Sequence, residues 1–137
     1  MNDKLSDQAT THPGEILVID DDAIMRDLVA DWLEAAGYEV RKATSCRAWI
    51  TQLFGKPPAL IVTDMFMPGP CGVEAISTLK KKHPGTALVA VSGHFNSGQG
   101  LSADEALAAG ADRALAKPVK RAELLRAVAE LVGKPAR

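Results

Sequence analysis

Residues Ala59-Leu-Ile-Val-Thr63 form a short, nearly continuous apolar run. That pattern suits a strand covered on both faces, as in a parallel sheet. Asp64 stands where the strand runs out. Pro68, Gly69, Pro70 and Gly72 then forbid further strand or an immediate helix. The sequence thus sets one acid at the carboxyl end of a central strand, on a stiff turn. In open α/β sheets that edge is where ligands bind. An aspartate at a strand end also serves as a simple turn cap, and residue 64 taken alone leaves both roles open.

The rest of the chain repeats this grammar. Glu15–Ile19 reads as a first strand, ended by Asp20, Asp21 and Asp22, with Asp22 placed as a helix N-cap. A helix is expected from Ala23 to Ala36, with Ile24, Leu28, Val29, Trp32 and Leu33 at helical spacing and Gly37 as its stop. Tyr38–Ala43 is a more polar strand, expected at an edge. A second helix is expected from Thr44 or Ser45 to Phe54, broken by Gly55-Lys-Pro-Pro58. A third spans Val73–Lys82, with Ala75, Ile76 and Leu79 inward and Lys80, Lys81 and Lys82 suiting its C-terminal dipole. Ala87–Val91 is a fourth apolar strand, closed by Ser92. Gly93–Gly100 reads as a loop, and Ser102-Ala-Asp-Glu105 as a capping box opening a short helix that Gly110 stops. Arg113–Ala116 is a fifth strand, followed by Lys117-Pro118. A last helix runs from Arg121 to Val132, with Leu124, Leu125, Val128 and Leu131 inward and Lys120 as an unfavourable N-cap.

Five strands alternating with five helices imply a doubly wound α/β fold, with parallel strands and helices on both faces. Strand order 2-1-3-4-5 is one of the two common solutions, and it sets strand 1 beside strand 3 at the topological switch point. Asp20 and Asp21 would then meet Asp64 in one crevice. The expected organisation is a mobile polar tail over 1–13, one domain over 14–133 and a short tail over 134–137.

Composition narrows the function. Of the 137 residues 47% are hydrophobic and the formal net charge is −1, which points to neither nucleic acid nor a membrane surface as a partner. No run is long enough to span a bilayer and the N-terminus does not read as a signal peptide. Cys46 and Cys71 have no metal-ligand spacing and make no disulfide framework, so a cytoplasmic setting is expected. Cys71 reads as a small filler beside Gly72 in preference to a reactive thiol.

Three carboxylates in one pocket repel one another, and a hard cation such as Mg²⁺ relieves that. Ser92 adds a hydroxyl after strand 4, and Lys117 an ammonium after strand 5. A turn serine and a solvated lysine are the plainer readings of each alone. Together with Asp64 and Mg²⁺ they form a set for aspartyl-phosphate chemistry.

These pieces, in order, resemble the receiver domain of bacterial two-component response regulators. The resemblance rests on Ile16-Leu-Val-Ile-Asp-Asp21, Asp64-Met-Phe-Met-Pro-Gly69 with Gly72, Val91-Ser92-Gly93, and Lys117-Pro118, across residues 14–133. It implies a flavodoxin-like fold and a phosphorelay function in which Asp64 accepts a phosphoryl group from a histidine. It also implies that Asp21 binds Mg²⁺ directly, Asp20 mainly through water, and the Phe66 backbone carbonyl completes the metal site. Ser92 and Lys117 would contact the phosphoryl group, Lys117-Pro118 would be a cis peptide, and Phe66 and His94 would tune phosphoryl lifetime. The implied partners are a sensor histidine kinase or histidine phosphotransfer protein and a downstream protein. The implied chain is a monomer or phosphorylation-dependent dimer, with no enzyme activity beyond its own phosphorylation and dephosphorylation.

The sequence departs from the family pattern at Ala114, three positions before the lysine, where an aromatic residue is usual. With a longer glycine-bearing loop, this suggests signalling by ordering or shifting Gly93–Gly110 as a unit. Two alternatives are a degenerate receiver acting as a phosphorylation-independent scaffold, and a phosphatase of the haloacid dehalogenase type. The second requires an acid two residues after Asp64, where Phe66 stands.

Overall fold

The computed structural model describes residues 14–44, 57–64, 73–93 and 103–135. The expected second helix, the segment 94–102, Phe66, His94, Trp49, Cys46 and Cys71 lie outside them. The elements in order are β1 (Glu15–Ile19), α1 (Ala23–Ala35), β2 (Glu39–Ala43), β3 (Leu60–Asp64), α2 (Val73–Lys82), β4 (Ala87–Ser92), α3 (Ala103–Ala109), β5 (Arg113–Ala116) and α4 (Arg121–Val132). The five strands form one parallel sheet in the order β2-β1-β3-β4-β5, the doubly wound, flavodoxin-like order expected from the alternation of elements.

Successive strand residues point to opposite faces, and both faces are covered. Leu17, Ile19, Ile61, Leu88 and Ala90 pack with Ile76 and Leu79 of α2 and Ala106 of α3. Ile16, Val18, Leu60, Val62, Val89 and Val91 pack with Val29 and Leu33 of α1 and Leu124 and Val128 of α4. Burial on both sides is why β1, β3 and β4 are nearly continuous apolar runs and not alternating ones.

The ends of α1 follow from local chemistry. Asp22 accepts the Ile24 and Met25 backbone N–H groups at 3.0 and 3.3 Å. Gly37, at φ +105°, turns the chain out of the helix, and the Tyr38 N–H returns to the Leu33 carbonyl at 3.1 Å. The structure divides the apolar positions of α1 between the core and the surface. Val29, Ala30 and Leu33 are buried, while Ile24 and Leu28 are 80% and 40% exposed. Apolar residues at 24, 25, 28, 29, 32 and 33 cover a wide arc, and the seating on the sheet leaves one edge of it outside. Lys120 makes no side-chain cap for α4. Among the described residues no helix is long and apolar enough to cross a membrane.

Candidate functional site

Ile19 of β1 pairs with Thr63 of β3, so the next residues, Asp20 and Asp64, emerge level at the carboxyl edge of adjacent central strands. Asp64 is itself the last residue of β3 and Ser92 the last of β4. The expected strands stopped one residue short of each, because the parallel ladder carries on past the apolar run, matching Asp64 with Val91 and Ser92 with Ala116.

One carboxylate oxygen from each of Asp20, Asp21 and Asp64 lies within 4.8 Å of the others. Asp20 and Asp64 are each 6% exposed, whereas Asp21 faces solvent. Lys117, just past β5, reaches across the sheet edge: its Nζ donates to Asp64 Oδ2 at 3.1 Å and to Asp20 Oδ2 at 3.4 Å. Its backbone N–H donates to the Ser92 carbonyl at 3.1 Å, and the Lys117–Pro118 bond is cis. The structure therefore gathers Asp20, Asp21, Asp64, Ser92 and Lys117 at one edge of the sheet.

The turn that presents the acids is fixed from several directions. The Asp22 N–H donates to Asp20 Oδ1 at 2.9 Å, and the Asp20 N–H to the Ala43 carbonyl at 3.2 Å. Arg26 Nη1 donates to the Asp20 carbonyl at 3.4 Å. Sequence reasoning did not single out Arg26. The available signal was its position four residues after the Asp22 cap, which places a cation one helical turn from the acids.

Beneath the carboxylates, Val18, Met25, Val62, Val91, Val119 and Leu124 line an apolar pocket. Burial over this floor pushes the Asp20 carboxyl above its ordinary value. The Asp22 N–H and the Lys117 ammonium pull it down, and the Asp64 charge pushes it further up. Burial alone would lower Lys117, but the Asp64 and Asp20 carboxylates outweigh it and raise its pKa above 10.5. One lysine thus serves two buried acids with a third carboxylate alongside. A hard divalent cation fits this site: among the described residues the three candidate donors are carboxylate oxygens, and their charge exceeds that of the one ammonium beside them.

Comparison with known proteins agrees with this geometry. The family described as "Response regulator receiver domain" matches residues 16–129. The transcriptional regulatory protein FixJ of Bradyrhizobium diazoefficiens is 35% identical over 108 residues, covering 79% of this chain and 51% of that protein. The chemotaxis protein CheY of Thermotoga maritima is 31% identical over 114 residues, covering 82% of this chain and 92% of that one. The chain therefore spans about half the length of this FixJ and nearly all of this CheY. A CheY-like receiver domain protein of Methanospirillum hungatei superposes with a TM-score of 0.77 at 28% identity, covering 88% of this chain and 93% of that one.

Proposed function

The chain belongs to the response regulator receiver domain family, and from that premise we propose that Asp64 accepts a phosphoryl group from a phosphohistidine of a partner protein. The observation that supports this most is the meeting of Asp64, Asp20, Asp21 and Lys117 at the carboxyl ends of β1, β3 and β5. In the transfer, a carboxylate oxygen of Asp64 forms a bond to phosphorus. The phosphorus–nitrogen bond of the donor breaks, and its electron pair leaves with the imidazole. Lys117 already holds Asp64 through one carboxylate oxygen, so its ammonium is placed to pair with oxygens of the incoming group. Ser92, on the neighbouring strand end, offers its hydroxyl to the same group.

Asp21 and Asp64 would hold Mg²⁺ directly and Asp20 mainly through water, with the Phe66 backbone carbonyl completing the set. Bound there, the cation supplies neutralisation of the charge that develops on the transferring oxygens. Phe66 and His94 set how fast the phosphoryl group is lost. The donor is a sensor histidine kinase or a histidine phosphotransfer protein, met in the cytoplasm. Residues 14–133 make the receiver unit, whose phosphorylation a downstream protein reads or passes on. The chemistry is confined to the chain's own phosphorylation and dephosphorylation.

Intact mass after incubation with Mg²⁺ and acetyl phosphate tests the assignment. One phosphoryl group is expected on the wild type, none on Asp64→Asn, and none when a chelator is added first. Equal phosphorylation of Asp64→Asn, or no dependence on the cation, would overturn it.

A further inference from the structure

Arg26, at the end of the first turn of α1, stands beside the acids and spends its hydrogen bond on their backbone. Its N–H donates to the Asp22 carbonyl at 2.9 Å. Its side chain then folds back over the same turn, where Nη1 donates to the Asp20 carbonyl at 3.4 Å. That side chain is only 16% exposed. A guanidinium so far out of water usually takes a carboxylate as a close partner. Here the ion pair is a loose one, from Nε to Asp27 Oδ1 at 3.7 Å.

The same Asp27 oxygen accepts Lys42 Nζ at 3.1 Å. Lys42 precedes Ala43, whose carbonyl accepts the Asp20 N–H at 3.2 Å. These ties close a ring. It runs from the end of β2 through Lys42, Asp27 and Arg26 to the Asp20 carbonyl, and returns through the Asp20 N–H.

The Asp20 carbonyl belongs to the peptide that joins Asp20 to Asp21. A peptide unit is planar, so holding its oxygen fixes the plane and the direction in which Asp21 leaves the chain. Asp21 depends on this more than its neighbours do. Asp20 is held through both carboxylate oxygens, by the Asp22 N–H and by Lys117, and Asp64 is held by Lys117. Among the described residues nothing bonds the Asp21 carboxylate, which faces solvent. It nevertheless lies within 4.8 Å of the other two. Its place is set through the backbone, and Arg26 is the side chain on that backbone.

We infer that Arg26 is a positioning residue for the cation site: by holding the Asp20 carbonyl it aims Asp21, and so sets the preference of the site for Mg²⁺ over larger divalent cations. The inference rests on the reading of Asp20, Asp21 and Asp64 as that site. Mg²⁺ demands near-ideal octahedral geometry, whereas Ca²⁺ accepts irregular arrangements of oxygens. A carboxylate that wanders therefore costs Mg²⁺ more than Ca²⁺. Asp27, with Lys42 behind it, steadies Arg26 from the outer face of α1.

Calorimetric titration of the full chain with MgCl₂ and, separately, with CaCl₂ tests this. Asp21→Asn serves as the site control and Arg26→Met as the main variant. In Arg26→Met the Mg²⁺ Kd should rise by about tenfold or more, the usual scale for losing a group that orients a metal ligand. The Ca²⁺ Kd should change far less, so the preference for Mg²⁺ falls. The sign is informative, because removing a positive charge beside three acids would by itself tighten both cations. Asp27→Asn, an exposed change that leaves Arg26 in place, should lower the preference by a smaller factor. It carries the test if Arg26→Met does not fold.

Three results would overturn the inference. One is tighter binding of both cations in Arg26→Met, which would make Arg26 a charge and nothing more. Another is a lower urea midpoint with both Kd values unchanged, the mark of a merely structural residue. The third is weakening of Mg²⁺ and Ca²⁺ by the same factor. An unchanged preference in folded Asp27→Asn removes the outer tie. If the wild type shows no Mg²⁺ binding that Asp21→Asn abolishes, the cation reading fails and the preference fails with it. Amide exchange of the metal-free proteins then decides the positioning alone. Faster exchange at Asp20 and Asp22 in Arg26→Met, with Ala36, Gly37 and Tyr38 at the far end of α1 unchanged, supports it. Uniform opening, or none, sinks it.

Discussion

Each end of the sheet carries a lysine beside an aspartate, and the two pairs are built almost alike. Lys117 and Lys80 have equal side-chain exposure, 23%, and each Nζ lies 3.1 Å from an Oδ2. The difference is in what else shares the cation. Asp112 is matched by Lys80 and by the Leu88 N–H, so one negative charge meets one positive charge and a backbone donor. Lys117 divides itself between Asp64 and Asp20, with Asp21 within reach of both. One end is a balanced structural tie; the other holds more negative charge than its cation offsets. That imbalance, and not the presence of an ion pair, marks the end where a further cation and a phosphoryl group would belong.

Breaking one acid at each end separates the two roles most sharply. Asp20→Asn removes a charge whose ionised form is disfavoured by burial, so the free protein should gain thermal stability. It should also lose most of its response to Mg²⁺, where a wild type at a hundredfold excess over Kd would gain about 2.7 kcal/mol. Asp112→Asn should do the reverse, costing about 1–3 kcal/mol in urea melts with the Mg²⁺ response unchanged. If both variants lost stability and both kept the response, the contrast between the ends would collapse.

A titration of stability sharpens the same contrast. The folded chain holds the Asp20 proton more tightly than the unfolded chain does, because the carboxyl is raised above 3.8. Stability therefore falls as pH rises from 3.8 through the raised value, and Asp20→Asn should remove that slope. Lys117 works in the opposite range. Its pKa is raised above 10.5, so its contribution is whole below 10.5 and is lost as pH climbs through the folded value. Lys117→Met should flatten this alkaline limb in a urea midpoint against pH.

The acid end was legible in the sequence because its parts lie at the ends of apolar runs. Asp20 after Ile19, Asp64 after Thr63, Ser92 after Val91 and Lys117 after Ala116 were each marked by where periodicity stopped. A parallel sheet converts those four stops into one edge. The other end was not legible. Lys80 looked like a helix-end cation, which it is, but its partner Asp112 lies 32 residues away. Nothing in local spacing pairs them, since the contact exists only once β4 and β5 are side by side. The exposed edge of α1 was hidden for a similar reason. An arc wide enough to include Ile24 and Val29 does not say which flank the sheet will cover. The strand bounds erred by one residue at Asp64 and Ser92, where polar residues remain in the ladder because the neighbouring strand still offers partners.

The smallest expected effect concerns a position at the acid end that plays no part in the charge balance. Lys120 stands at the N-cap of α4 with extended backbone, φ −96° and ψ 135°, and makes no side-chain bond to the first turn. That backbone already suits a capping residue, so a serine hydroxyl could accept a first-turn N–H without rearrangement. Lys120→Ser should therefore raise stability by about 1 kcal/mol in urea melts. Unlike Asp20→Asn, it should leave the Mg²⁺ response and the acidic slope as they are. The side chain is exposed and α4 begins three residues beyond the Pro118 edge of the site, so the gain comes from the helix end alone. A variant that gained nothing would mean that the α4 N–H groups are already satisfied. A variant that gained stability but lost Mg²⁺ response would mean that the Lys120 charge belongs to the site, and the ledger of one lysine against three acids would have to be redrawn.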